Sequence, residues 1–417
     1  MNERKVIVIG GGPAGLMAAG QAAEAGADTL LLEKMQRTGL KLCITGKGRC
    51  NITNVAEVSD FISHFGKTGP FLRQAFARFF NTELMAFFNA LGLKLVTERG
   101  GRVFPASGKA PDVHRALLQW SKKSGVRIIH SAPVDKIRTL HGRITGVVSQ
   151  GREIACDAII LAAGGASYPA TGSTGDGYHL SESAGHRVIP VRQALVPLVT
   201  SGGEAKQMAG LNLRNVNTRM LVNGRKKREH FGEIVFTDFG ITGPSILTLS
   251  GDAVDSLNSG RPVVFSIDLK PALDENKLDA RLQRDIASQG IKPISSFLRG
   301  LIPREMVPVC LNCIDVPAAR KACHISAKER RRLRTWLKDF RLEVTGCRPF
   351  AEAIITAGGI DTREIDPRTM ESRKTKGLFF AGELIDIQAD TGGYNLQAAF
   401  STGWLSGRSA AQGSQPP

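Results

Sequence analysis

The sequence predicts an α/β fold: a split dinucleotide-binding, Rossmann-like domain with an inserted β-barrel or sandwich plus a helical part. Three observations predict it. A glycine turn joins two short apolar strands near the start, a second apolar strand ends in glycines at Gly164-Gly165, and a third precedes a glycine-led helix at Gly392-Gly393.

Val6-Ile7-Val8-Ile9 is the first apolar run, and it stops at Gly10-Gly11-Gly12-Pro13-Ala14-Gly15. Ala19, Gly26 and the run Thr29-Leu30-Leu31-Leu32 follow, ending on Glu33 and Lys34. This is strand, glycine turn, helix, strand and acid in the order a dinucleotide-binding unit needs. Gly10 permits the tight turn, Gly12 lets backbone approach a pyrophosphate, and Gly15 lets helix and strand pack closely. Pro13 and Ala14 open the helix whose N-terminus would face the phosphates. Glu33 would accept hydrogen bonds from two ribose hydroxyls, and Lys34 joins it as an expected cofactor contact.

A chain of 417 residues, 42% hydrophobic, can bury a full core and divide into two or three domains. Seven scattered cysteines argue against a disulfide framework. Met1 to Arg4 is polar and leads directly into the first strand, so a signal peptide is not expected. No apolar run approaches the roughly 18 residues of a spanning helix. The expectation is a soluble, cytoplasmic protein without a membrane partner. A net charge of +17 is unusual for an enzyme of small metabolites.

After a Gly/Lys/Arg-rich stretch from Thr38 to Asn54, Pro70 to Leu91 reads as aromatic and helical. Alternating runs follow at Arg127 to His130 and Ile144 to Val148, with Val134 between them as a further expected cofactor contact. Ala158 to Ala162 is a buried-strand signal ending at Ala163-Gly164-Gly165, where the chain would return beside the pyrophosphate. Pro190 to Leu269 reads as short strands with turns, and Asp274 to Phe340 as charged helix. The expected divisions are 1–190 and 349–417 for the cofactor domain, 191–272 for the barrel or sandwich, and 273–348 for the helical part. Only the Gly-Ser-Gln-Pro-Pro tail reads as disordered.

The C-terminal block selects FAD over NAD as resident cofactor. Gly377 to Glu383 is a last strand delivering an acid, with Gly382 and Glu383 at its end. Gly392-Gly393-Tyr394-Asn395-Leu396-Gln397 then starts a helix whose N-terminal N–H groups would stabilise a reduced, anionic flavin. Gly393, Asn395, Leu396 and Gln397 are therefore expected at the cofactor.

Gly48-Arg49-Cys50-Asn51-Ile52-Thr53-Asn54, Gly232 to Thr237 with Phe239 to Pro244, and Gly392 to Gln397 are similar to bacterial NAD(P)/FAD-dependent oxidoreductase flavoproteins. That family includes aminoacetone oxidase-like, bile-acid ene reductase-like and ribosomal-RNA dihydrouridine synthase-like members. The resemblance covers nearly the whole chain and implies an FAD domain split by a barrel and a helical part. Family members often carry His or Arg where this chain has Asp238, so no role is carried over to that position.

Lys41, Gly48, Arg49, Cys50 and Asn51 lie where related flavoproteins run a loop along FAD. Cys50 is the one thiol inside such a motif; it is either an acid that protonates a carbon receiving hydride or a packed small residue. Tyr394 is the alternative acid, or stacks on the ring edge. Cys310, Cys313, Cys323, His324 and Cys347 have no zinc spacing, and no metal is expected. Ser167, Ser245 and the histidines show no nucleophile–base pattern. A second glycine fingerprint is missing, so NAD(P)H would be a transient reductant.

Basic residues cluster at Arg225-Lys226-Lys227-Arg228, beside a turn signal at Asn223-Gly224, and at Arg330, Arg331, Arg332 and Arg334 on a charged helix. Ribosomal RNA would use such a field through its phosphates. A solvated basic surface, or acidic small molecules, would also fit it. Two classes stay open. One is reduction of a uracil C=C in ribosomal RNA, with hydride to C6 and Cys50 or Tyr394 protonating C5. The other is a small-molecule amine oxidase or ene reductase.

Overall fold

The computed structural model describes residues 3–413, so the disordered tail expected from the sequence lies, but for Gly413, outside the described residues. The chain divides into two compact units, one running to Gln193 and resuming at Phe350, the other Ala194–Pro349.

The first unit is built on a five-stranded parallel sheet in the order Leu378–Phe380, Ala158–Leu161, Lys5–Ile9, Asp28–Leu32, Arg127–Ile129. Its strands are continuous apolar runs because both faces are buried. Val6, Val8, Leu31, Ile160 and Phe379 point into one core, with residues of the helices Pro13–Glu24, Ala110–Lys123 and Tyr394–Gln412. Ile7, Ile9, Leu30, Leu32, Ile159, Leu161 and Phe380 enter the other, with Phe61, Phe76 and Phe80. Helix Tyr394–Gln412 lies so close on helix Pro13–Glu24 that a Cβ at Gly403 would stand 2.5 Å from the Ala14 carbonyl oxygen. One at Gly407 would stand 2.3 Å from that of Ala18.

Two small antiparallel sheets flank this core. Thr53–Asn54 pairs with Arg102–Pro105, which pairs with Leu95–Glu98. Val134–Leu140, Arg143–Ser149 and Arg152–Ala155 form the other. A further strand, Ile355–Ile360, pairs with Val188–Ala194 outside the parallel sheet.

The second unit contains a closed six-stranded antiparallel barrel, in the order Leu198–Thr200, Gly240–Thr242, Arg225–Phe236, Asn212–Val222, Val263–Asp268, Phe340–Cys347. The long hairpin turns at Asn223-Gly224, both with positive φ (51° and 74°), as a two-residue turn of the primed type requires. Helices Glu275–Gln289, Ile294–Leu298, Met306–Ile314 and Ala327–Lys338 come between the barrel strands Val263–Asp268 and Phe340–Cys347.

Two elements differ from the sequence reading. Pro244–Asn258 is a 15-residue helix within the stretch read as strands and turns. Pro244 is its first residue rather than part of a turn, and Ile246, Leu249, Ala253 and Val254 give it a buried stripe. Phe340–Cys347 is a barrel strand at the end of the stretch read as helix; its alternating burial is the period-two pattern of a half-buried strand.

Candidate functional site

The glycine turn has the geometry its sequence implies. Gly10 takes φ +101°, and its N–H donates to the Leu32 carbonyl at 2.9 Å. A Cβ at Gly15 would stand 1.9 Å from the Gly10 carbonyl oxygen, so only glycine fits there. Above Gly12 a Cβ would meet nothing within 4 Å. Helix Pro13–Glu24 begins there with no side chain capping it, which leaves its first N–H groups available to an anion. Glu33 is buried at the end of the second strand, its carboxylate accepting from Gly11 N–H (2.7 Å) and Met35 N–H (2.8 Å). Each oxygen keeps a lone pair for a further donor.

Glu383 stands at the end of strand Leu378–Phe380 and is held from three sides. Lys41 Nζ donates to it at 2.7 Å, Ser167 Oγ at 3.0 Å and the Thr356 N–H at 2.8 Å. Lys41 also donates to Ser167 Oγ at 2.6 Å. Thr356 Oγ1 accepts from the N–H groups of Ala166 and Ser167, which fixes the turn after Ala163-Gly164-Gly165. A Cβ on Gly165 would fall 2.4 Å from that hydroxyl oxygen. Ser167 and Thr356 had no sequence signal, being 189 residues apart.

The Cys50–Asn54 and Gly392–Gln397 motifs meet. Asn54 Nδ2 donates to the Gly392 carbonyl at 3.1 Å, and Thr53 Oγ1 to Gln397 Oε1 at 2.6 Å. Gln397 Nε2 reaches Ser401 Oγ and the Phe79 carbonyl. Gln397, expected at the cofactor, is thus fully buried and clamps the C-terminal helix to this loop. Asn395 accepts from the Ala389 N–H and donates to the carbonyls of Ala389 and Asp390. Leu396 packs against the core. Gly393 caps the helix without any side-chain cap.

Cys50 is wholly buried, at φ +60°, and burial pushes its thiol up to about 12. Tyr394 is raised by burial first and then by Asp60 and Asp390. Its ring stacks on His64, not anticipated from sequence, at 3.9 Å. Arg49 is ion-paired with Glu98 and lies 4.3 Å over the Phe104 ring.

Two further expected cofactor contacts have these surroundings. Lys34 bonds Thr174 and Asp176, and Val134 lines a shallow pocket with Asp135, Asp176 and His179. Two serine–histidine contacts exist that the sequence did not signal, Ser245–His230 at 3.0 Å and Ser372–His186 at 2.8 Å. Both serines are buried, and Ser372 Oγ accepts the N–H groups of Lys374 and Thr375 as a turn anchor. The basic clusters lie in the barrel unit and are largely paired. Lys227 and Arg228 meet Asp252, Lys226 meets Glu229, Arg330 meets Asp279, Arg334 meets Glu275 and Asp279, and Arg332 meets Asp315. Arg225 and Arg331 are exposed. Among the described residues no cluster of His, Cys, Asp and Glu is placed to hold a metal, and no helix is long and apolar enough to cross a membrane.

A dinucleotide with an extended ring system fits these residues. The helix N-termini at Gly12 and at Gly393 carry no side-chain cap. Buried Asn51 Oδ1 and Gln388 Oε1 have no hydrogen-bond partner among the described residues, and such acceptors are costly unless a donor meets them.

A family profile described as "HI0933-like protein Rossmann domain" matches residues 4–409. The chain is 30% identical over 410 residues to a "3-dehydro-bile acid delta(4,6)-reductase" of Clostridium scindens, covering 98% of this chain and 99% of that one. It is 29% identical to a "Ribosomal RNA dihydrouridine synthase" of Escherichia coli, covering 97% of each. Among solved structures, an open-form flavocytochrome c3 fumarate reductase superposes with a TM-score of 0.52 at 16% identity, over 99% of this chain and 79% of that one. The last likeness is one of fold.

Proposed function

The chain belongs to the HI0933-like Rossmann family and is an oxidoreductase enzyme; we propose that it binds FAD and saturates a conjugated carbon–carbon double bond, with a uracil of ribosomal RNA as substrate and NAD(P)H as reductant. The observation that carries the cofactor is the buried Glu33 carboxylate beside a glycine turn and an uncapped helix N-terminus. The reaction class is supported by the names of two relatives, a delta(4,6)-reductase and a dihydrouridine synthase, whose chemistry is alike: a double bond conjugated to a carbonyl.

When bound, FAD supplies two-electron hydride chemistry. The chain's own residues do the rest. Gly10 to Gly15 and the helix behind them bind the pyrophosphate, and Glu33 accepts from ribose hydroxyls. Glu383, kept in place by Lys41, Ser167 and Thr356, offers a carboxylate to the ribitol. Asn51 and Gln388 would offer their unpartnered acceptors to N–H donors of the cofactor. The N-terminus of helix Tyr394–Gln412 favours negative charge beside it. Cys50 holds its proton in a dry core and serves packing there.

RNA as substrate is supported by the +17 charge and by the dihydrouridine synthase relatives. The test is mass spectrometry of ribosomal RNA from cells with and without the gene. A dihydrouridine lost with the gene and restored by the purified enzyme supports the reading. Unchanged RNA beside turnover of a steroid dienone favours the second reading, a small-molecule ene reductase, for which the 30% identical bile-acid reductase speaks.

A further inference from the structure

Reduction of a double bond needs a proton as well as a hydride, and the two residues expected to give it are poorly placed for the task. Cys50 is shut away from water. Tyr394 is 7% exposed, with its proton held more tightly than usual by burial and by two nearby carboxylates. Against the Tyr394 ring, however, lies a third group. His64 follows the short helix Val58–Ser63, and its imidazole stacks on Tyr394 with planes 20° from parallel. Phe61 meets the same tyrosine edge-on at 4.7 Å. His64 Nδ1 stands 3.3 Å from Asp390 Oδ2, and each of the two side chains is 26% exposed. Asp390 sits in the loop that Asn395 fastens to the start of the C-terminal helix, where the Cys50–Asn54 motif arrives. The imidazole thus has its plane fixed by stacking, one nitrogen held by a carboxylate, and access to water.

We propose that His64 is the general acid that protonates the substrate carbon, with Asp390 and Tyr394 as its positioning residues. The inference rests on the reading of the site as one that saturates a double bond. In that reaction one C=C π bond breaks and two C–H bonds form. The hydride, with its electron pair, derives from NAD(P)H and reaches one carbon. The proton leaves His64 Nε2, whose N–H bonding pair stays on the ring, and reaches the neighbouring carbon. Asp390 retains the Nδ1–H and offsets the positive charge of the imidazolium before transfer; water then returns the proton. Asp390 on the loop pairs with His64, Tyr394 on the C-terminal helix stacks on it, and Asp60, which with Asp390 acts on the Tyr394 phenol, lies four residues back in the sequence.

The test uses the FAD-loaded full chain with NADH or NADPH and two probes: ribosomal RNA from cells lacking the gene, and a steroid 4,6-dien-3-one. Wild type should add two hydrogens to one probe. His64→Asn should slow that addition by about 10²–10⁴-fold, the usual worth of a positioned acid, while FAD content and anaerobic flavin bleaching by NAD(P)H stay as in wild type. The limb of the pH–rate profile that reports a protonated acid should vanish with it. A structural role would not move that limb. A second readout needs no turnover: the imidazole NMR signals of labelled histidines, with His64 assigned by its absence in the variant, should show the His64 signals moving in Asp390→Asn. Wild-type turnover and pH profile in His64→Asn would overturn the assignment. So would His64 signals unmoved in Asp390→Asn, which also decides the matter if His64→Asn loses its cofactor. Equal loss in Tyr394→Phe with the His64–Asp390 contact unchanged would move the acid to the tyrosine. A wild type that reduces neither probe sinks the double-bond reading itself, a distinguishable result. His179→Asn, on the exposed face of helix Asp176–Ser183, is the control expected to behave as wild type.

Discussion

Glu33 and Cys50 show what a single side chain contributes, and both invite direct measurement. Removing the Glu33 carboxylate takes away the acceptor that now holds Gly11 and Met35 N–H and that would hold a ribose. Glu33→Ala should weaken FAD binding by about 1.5–3 kcal/mol for each charged hydrogen bond lost, read as a tenfold or larger rise in the dissociation constant by flavin fluorescence. Cys50 should resist alkylation at pH 8, because a thiol raised to about 12 carries almost no thiolate and is sealed from reagent. Peptide mapping after iodoacetamide should find Cys323, which is exposed, labelled in the native protein and Cys50 labelled after unfolding. At this scale the sequence could name Cys50 as a motif residue but could not say which way its thiol lies. His64 and Asp390 were invisible because 326 positions separate them.

Among elements, the clamp at Gln397 and the hairpin of strands Asn212–Val222 and Arg225–Phe236 make contrasting cases. Gln397→Ala removes the 2.6 Å acceptor of the buried Thr53 hydroxyl and weakens the tie to Phe79 and Ser401. Each unsatisfied buried group costs about 1–3 kcal/mol, so a lower denaturation midpoint is expected, with cofactor affinity falling as the two motifs part. At the hairpin, burial would raise the Asp252 carboxyl, but bonds and charge from Arg228 and Lys227 outweigh that and hold it below its usual range. Its stabilising contribution is full above the unfolded pKa of about 3.9 and is lost as pH falls through the lower folded value. Protection of the hairpin amides, measured against their intrinsic exchange rates at each pH, should therefore fall on acidification, and Asp252→Asn should show the lower protection already at neutral pH. Elements that alternate or repeat cleanly were readable, as in the parallel strands and the charged helix Ala327–Lys338. Pro244–Asn258 was misread because Thr242-Gly243-Pro244 serves a turn and a helix start equally well. Phe340–Cys347 was missed because it directly follows a helix with only Asp339 between them.

For the whole molecule the +17 charge is the property to test. If it serves RNA, binding should fall steeply with salt, the log–log slope growing by about 0.7 for each single-strand phosphate contacted. Arg330 and Arg334 already hold Asp279, so neutralising them would unpair that carboxylate as well as remove charge. Arg225→Gln with Arg331→Gln is the cleaner variant, and should flatten the slope while leaving FAD content unchanged. A slope near zero in wild type would mark the charge as a solvated surface. The split domain could be read from the sequence because each returning strand ends in glycines. The site was harder, since Lys41, Ser167, Thr356 and Glu383 converge from four separate stretches.

The glycine contacts that seat helix Tyr394–Gln412 on helix Pro13–Glu24 have a bearing on biosynthesis. A nascent chain emerges with its glycine turn first and the helix that packs behind it last, after the barrel has had time to fold on the ribosome. Until then helix Pro13–Glu24 lacks the partner that Gly403 and Gly407 seat on it, and the Glu383 carboxylate does not exist. FAD should accordingly be captured after translation rather than during it, and ribosome-stalled chains ending before Leu378 should retain none. In that order of synthesis a bound cofactor would be a late seal on the fold instead of its nucleus.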